Sequence, residues 1–198
     1  MSTRGPGRPR ETSHEEIREI ARVLFTAQGY AATSLAQIAK AAGISRTTLF
    51  EYFPAKRDLI WEEFESGLAR LRASLDGEPA RPLVEIMATA MIAAADYPAQ
   101  EHDALRLRWR LTQDDPELRA YTAVRTEQLV GLIVDRGRRH SPDVDPELID
   151  HVARALVTVA ARCVETWARA ERPETGLADH VAAGLAPFTA ALRPLLPS

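Results

Sequence analysis

The stretch AAGISRTTLFEYFPAKR, residues 41–57, decides the fold. Gly43 stands between two runs with helical spacing, and Ser45, Arg46, Thr47 and Thr48 follow it, all short or polar. The aromatics Phe50, Tyr52 and Phe53 come next and lead into Pro54. A short helix, a glycine turn and a second helix make the spacing of a helix-turn-helix, with Ala39 small at the crossing, Gly43 in the turn and Ile44 beneath it. The second helix of such a unit enters the DNA major groove with its N-terminal residues at the base edges. Hydrogen-bonding side chains are needed at that end, and phosphate-reaching groups belong at the flanks. Ser45 to Thr48, followed by Tyr52 and Lys56, have that polarity.

On either side of this unit the periodicity is helical, near 3.6, and no segment alternates as a strand does. Ser13 and Glu16 form a capping box that opens a first helix, whose apolar stripe is Ile17, Ile20, Ala21, Leu24 and Phe25 and whose end is Gly29. Ser34 and Gln37 open the second helix in the same way, and Ser45 caps the third. A fourth helix is expected from near Ala55, a fifth over about 82–96 and a sixth over about 99–113. The tetrapeptide DPEL occurs at 115–118 and at 145–148. In each copy Asp caps, Pro takes the first helical position and Glu favours the positive end of the dipole. Two long helices are therefore expected to run to about 139 and 170, and a last one over about 176–195 with a kink at Pro187. The fold class is all-α: a basic arm over 1–12, a three-helix head over 13–55, and a helical domain of about six helices over 56–198.

Composition agrees with a globular protein, at 45% hydrophobic and 27% charged residues. A single cysteine, Cys163, rules out an internal disulfide framework, and no metal site or cofactor is expected. No apolar run nears the roughly 18 residues that span a bilayer, and MSTRGPGRPRE lacks the apolar core of a signal peptide, so a cytoplasmic protein is expected. Residues 1–60 carry nine Lys/Arg against six Asp/Glu, whereas the rest carries 16 against 22. A basic head on an acidic body suits a head that meets a polyanion.

Residues 14–60 resemble the DNA-binding domain of TetR-family transcriptional regulators. The resemblance rests on Ala21-x-x-Leu24-Phe25, Gly29-Tyr30, Ala32-Thr33-Ser34-Leu35-x-x-Ile38-Ala39, Ala42-Gly43-Ile44-Ser45 and Leu49-Phe50-x-Tyr52-Phe53-Pro54-x-Lys56-x-x-Leu59. It implies that Thr33 touches phosphate and that Ser45, Arg46, Thr47 and Thr48 face the groove. Tyr52 would donate to phosphate, Lys56 would clamp the backbone, and Leu49, Phe50 and Phe53 would be mostly core. Glu51 stands where histidine or tyrosine is frequent; it could accept from a cytosine amine. Ala55 stands where serine often caps the fourth helix. Arg8 and Arg10, in RGPGRPR, suit an extended arm entering a narrow minor groove. The stretches GRPRETSHEEI and SRTTLFEYFPAKRDLIWEEFESGLARLRA are further similar to regulators of the mycofactocin-system subgroup, which implies an acyl-CoA-like effector. That similarity was traced no further than about residue 75.

The family resemblance makes the remaining helices a ligand-binding and dimerisation domain, with double-stranded DNA, a second copy and a small-molecule effector as partners. Pocket candidates on inward helix faces are Met87, Met91, Trp109, Tyr121 and Leu129. Arg125 shares a face with Leu118 and Leu129, so it either pairs with an internal carboxylate or meets an anionic ligand group. Arg106, Arg108 and Arg110 read as a solvated or salt-bridged face, and His102 and His140 as surface residues. The two C-terminal helices are apolar over more than one face, which suggests a dimer contact through Leu156, Val157, Ala160, Val164, Val181, Gly184, Leu185 and Phe188. The pattern contains no His-x-x-x-His, phosphate loop or serine elbow, so no enzyme is expected. Two alternatives stay open: a head that binds a protein partner, and a DNA-binding regulator whose pocket is filled.

Overall fold

The computed structural model describes residues 13–77, 81–97 and 102–196. These residues contain nine α-helices and no strand. The chain divides into two compact units, Met1–Ile60 and Trp61–Ser198.

In the first unit α1 (His14–Gln28), α2 (Leu35–Ala41) and α3 (Arg46–Tyr52) enclose Ile17, Ala21, Phe25, Ile38, Leu49 and Phe53. The local chemistry sets each helix start. Ser13 Oγ accepts from the Glu16 amide at 3.1 Å while Glu16 accepts from the Ser13 amide, and Ser34 and Gln37 repeat the exchange. Such caps contribute about 0.5–2 kcal/mol each. The turn between α2 and α3 is a Schellman closure: the Ile44 amide donates to the Ala39 carbonyl at 3.0 Å and the Gly43 amide to that of Lys40 at 3.2 Å. It requires φ of +68° at Gly43, which a side chain would resist.

α4 (Asp58–Leu75) starts later than expected. Residues 54–57 form a turn instead, in which Asp58 Oδ2 accepts from the Ala55 amide at 2.8 Å. The acidic half of a capping box is thus present, while Ala55 has no hydroxyl for the other half. Phe50 also departs from its expected place in the core, being 42% exposed. Leu49 and Phe53 are four residues apart and share the inward face; Phe50 lies about 100° further round.

The second unit holds α5 (Leu83–Ala94), α6 (His102–Asp114), α7 (Pro116–His140), α8 (Pro146–Arg169) and α9 (Leu177–Leu192), followed by a short 3-10 turn. Asp115 accepts from the amides of Glu117 and Leu118, and Asp145 from that of Glu147, so both DPEL copies start helices as expected. α8 packs on α7 and α9, and α5 on both α8 and α9. Pro187 lies inside α9 and does not end it. A Cβ added to Gly184 would overlap the Cys163 sulfur, so α8 and α9 approach closely at this pair.

That packing divides the eight residues expected at a dimer contact. Leu156, Val157, Val181 and Leu185 are buried within the chain's own core. Ala160 and Val164 line a cavity of the same unit, and Gly184 faces Cys163. The four buried side chains cannot form a contact surface, whereas Ala160, Val164 and Gly184 are partly exposed and Phe188 is 47% exposed. His102 is likewise no surface residue, since its ring meets that of Trp167 edge-on at 4.7 Å.

Candidate nucleic-acid interface and effector cavity

α3 presents its polar edge on a rigid base. Leu49 is fully buried beneath it, while Ser45, Arg46, Thr47 and Glu51 are exposed and Thr48 and Tyr52 are partly so. Ser45 Oγ accepts from the Thr48 amide at 3.0 Å and pairs with the Thr48 hydroxyl at 2.9 Å. These two hydroxyls therefore serve the cap first, and Arg46 and Thr47 are the less committed groups of the first turn. The exposed Phe50 shares this surface. The Tyr52 ring packs edge-on against His14, with centroids 4.7 Å apart.

Two residues expected at phosphate are engaged inside the head. Thr33 is 1% exposed; its hydroxyl donates to the Gly29 carbonyl at 2.7 Å and accepts from Gln28 at 3.0 Å. Lys56 donates to the carbonyls of Tyr30 at 2.9 Å and Thr33 at 3.1 Å. Both side chains tie the α1–α2 turn in place. Their roles in shaping this turn were not legible from spacing, because the partners come from other elements. Arg8 and Arg10 lie outside the described residues.

The second unit contains a cavity of about 310 Å³ with mostly apolar walls. That volume falls at the small end of the roughly 300–1,000 Å³ usual for small-molecule sites. Of the six expected pocket residues, Met91, Trp109 and Leu129 line it. Met87 is fully buried in the core, and the Tyr121 ring meets Trp61 edge-on at 5.4 Å; neither lines the cavity. Arg125 does not line it either. It pairs with Glu65, donates to Gln128 at 2.9 Å and lies over the Tyr121 ring at 4.9 Å, which is the internal-carboxylate alternative.

The arginine in the cavity wall is Arg108, whose guanidinium lies over the Trp61 ring at 5.2 Å. Sequence reasoning passed over both residues. A signal existed: Arg108 is three residues after Leu105 and four before Thr112, on the inward face of α6, and Trp61 stands three before Phe64 and seven before Leu68. Treating Arg106, Arg108 and Arg110 as one cluster hid this, since alternate residues of a helix face different ways.

Among the described residues no group of three or more His, Cys, Asp or Glu could hold a metal ion, and no helix is long and apolar enough to cross a membrane.

Comparison with known proteins supplies the remaining findings. Residues 17–62 match the family described as bacterial regulatory proteins, tetR family, and residues 81–193 match the MftR C-terminal domain. A Mycobacterium tuberculosis protein named as a mycofactocin biosynthesis transcriptional regulator, MftR, is 32% identical over 170 residues, 83% of this chain and 84% of its own. The similarity seen up to about residue 75 therefore extends through the second unit. The crystal structure of Thermus thermophilus FadR, a TetR-family transcriptional repressor in complex with lauroyl-CoA, matches with a TM-score of 0.57 at 26% identity. It covers 88% of this chain and 92% of its own. A TetR regulator from Nitrosomonas europaea matches with a TM-score of 0.60 at 15% identity, covering 90% and 96%, a likeness of fold.

Proposed function

The chain belongs to the TetR family of bacterial regulatory proteins, and from that premise we propose that it represses transcription as a homodimer on a palindromic operator and is released by an acyl-bearing small molecule. It is a transcriptional regulator with an N-terminal helix-turn-helix. The observation that carries the reading is the first turn of α3: Arg46 and Thr47 stand exposed on a helix anchored by the fully buried Leu49.

The proposed roles extend this reading along the head and the arm. Arg46 and Thr47 meet base edges, and Ser45 and Thr48 support them. Glu51 takes a cytosine amine and Phe50 a thymine methyl. Tyr52 reaches phosphate, and Arg8 and Arg10 follow the minor groove. Lys56 and Thr33 hold the head's shape. The cytoplasm is the compartment in which this chemistry meets DNA.

Release has a physical route. Two recognition helices must lie about one DNA turn apart, roughly 34–36 Å. α4 begins at Asp58, directly after the turn that follows the head, and contributes Trp61, Phe64 and Leu68 to the cavity wall. A ligand that favours another position of α4 weakens operator binding, and the coupling is mutual, typically ~1–3 kcal/mol. The acyl class is suggested by the FadR likeness and by the apolar walls, and the open cavity argues against a regulator whose pocket is filled.

The test is selection of duplexes from a random pool, followed by salt and decanoyl-CoA titrations on the winners. A palindrome bound with steep salt dependence and released by the thioester is expected. No enrichment at low salt would overturn operator binding and favour a protein partner for the head.

A further inference from the structure

The cavity wall holds three donors with nothing to donate to. Among the described residues, Trp61 Nε1, Arg108 Nη1 and Trp109 Nε1 are sealed from solvent and have no hydrogen-bond acceptor. All three residues line the same cavity. Native interiors leave few such groups, because each unmade bond costs free energy and a charged donor costs most. Others occur elsewhere, such as His102 Nε2 and Arg125 Nε, but three belong to residues of this one wall, and one of the three is a cation.

The acceptors already in the wall do not answer them. Glu165 is the lining carboxylate, and it pairs with Arg162 and Arg169. The Thr112 hydroxyl donates to the Trp109 carbonyl at 2.7 Å, and Thr122 and Thr126 donate to carbonyls of α7. Tyr97 lies beneath the Arg70 guanidinium, which itself donates to the Ala93 and Ala94 carbonyls. Arg125, one helix away, is matched with the Glu65 carboxylate, although its Nε also lacks an acceptor. Arg108 has no carboxylate among the described residues; it has an indole face and a cavity. Apart from Gln113, the rest of the wall, including Met91, Leu129 and Val181, is apolar.

We propose that Trp61, Arg108 and Trp109 receive the oxygen-bearing end of the effector, and that the effector is an acyl compound whose carboxylate or thioester carbonyl meets these donors while its chain lies along Met91, Leu129 and Val181. The inference rests on the effector reading above and adds the head-group chemistry and the residues that read it. Donors without free acceptors select an acceptor-only head over a hydroxyl, which must also place a proton. The uncompensated guanidinium favours an anion or a strongly polarised carbonyl over a neutral chain end.

The test is calorimetric titration of the full-length protein with decanoate, 1-decanol and decanoyl-CoA. The wild type is expected to bind at least one acyl ligand more tightly than the alcohol. Arg108→Met should weaken that acyl ligand by roughly tenfold to a hundredfold, as expected for loss of a charge-assisted bond, and change the alcohol by less than about threefold. Trp109→Phe keeps a ring and removes the donor; it should cost the acyl ligand roughly threefold to tenfold, and it decides the matter if the Met variant does not fold. Tighter binding of decanoate names a free acid as the source of the head, and tighter binding of decanoyl-CoA names the thioester. Equal binding of acid, thioester and alcohol, or full acyl affinity in both variants, would overturn this inference while leaving an effector cavity. Failure of all three compounds to bind would remove the effector reading itself.

Discussion

Lys56 lies across the Tyr30 ring, its ammonium 3.9 Å from the ring centroid, and donates to the Tyr30 carbonyl at 2.9 Å. A third contact, to the Thr33 carbonyl, completes a brace between the α1–α2 turn and the segment that leads into α4. Lys56→Met is therefore expected to destabilise the head by about 1–3 kcal/mol and to weaken every duplex alike. The slope of log affinity against log salt separates this role from a phosphate clamp. An unchanged slope is expected; a slope smaller by about one would return Lys56 to the backbone.

Phe50 is exposed beside the polar edge of α3, and in the proposed function it touches a thymine methyl. Phe50→Ala should lower operator affinity by about 0.8 kcal/mol per lost methyl contact, roughly fourfold. Replacing the contacted thymine by deoxyuridine should reproduce that loss in the wild type and add nothing in the variant. Equal losses in both proteins would mean that Phe50 does not read the methyl.

Gly184 and Cys163 share one close approach between α8 and α9. Gly184→Ala is expected to destabilise the second unit by about 1–3 kcal/mol through overpacking. Adding Cys163→Ala removes the sulfur that the new methyl meets and should recover part of the loss. Denaturant melts of the four proteins measure the coupling; strict additivity would place the clash elsewhere.

Phe188 remains exposed on α9, while Leu177, Val181 and Leu185 of the same helix are buried. In a homodimer built on this face, Phe188→Glu buries an unpaired carboxylate, so sedimentation should show a shift to monomer and operator affinity should fall with it. A dimer of unchanged strength would move the interface away from this residue.

Burial pushes the Cys163 thiol above its usual range. A raised pKa leaves less thiolate at any given pH, and the thiolate is the reactive form. Alkylation at pH 8 should run slower than for a free cysteine and recover in denaturant. A native rate that matches the denatured one would contradict the packing against Gly184.

Much of the head was legible because its determinants are local. Ser13 and Glu16, Ser34 and Gln37, Gly43 and Lys40, and Ile44 and Ala39 bond within three to five residues of one another. Both DPEL starts are equally local, with Asp115 and Asp145 accepting from amides two or three residues on. The family resemblance drew on the same short-range pattern, since a turn and a helix face recur at fixed spacing.

The sequence by itself determined which segments are helices, where the capped ones start, and which edge of α3 is polar, because these depend on bonds and periodicities spanning a few residues. Only the tertiary structure decided how long-range partners use those helices. It paired Arg125 with Glu65 and left Arg108 facing the cavity, and it gave Lys56 to the Tyr30 and Thr33 carbonyls. It also covered Leu156 and Leu185 within the chain. A helix pattern states that a face is apolar or charged; what lies opposite that face is set by the packing of other helices, and the energy of a buried group depends on that partner.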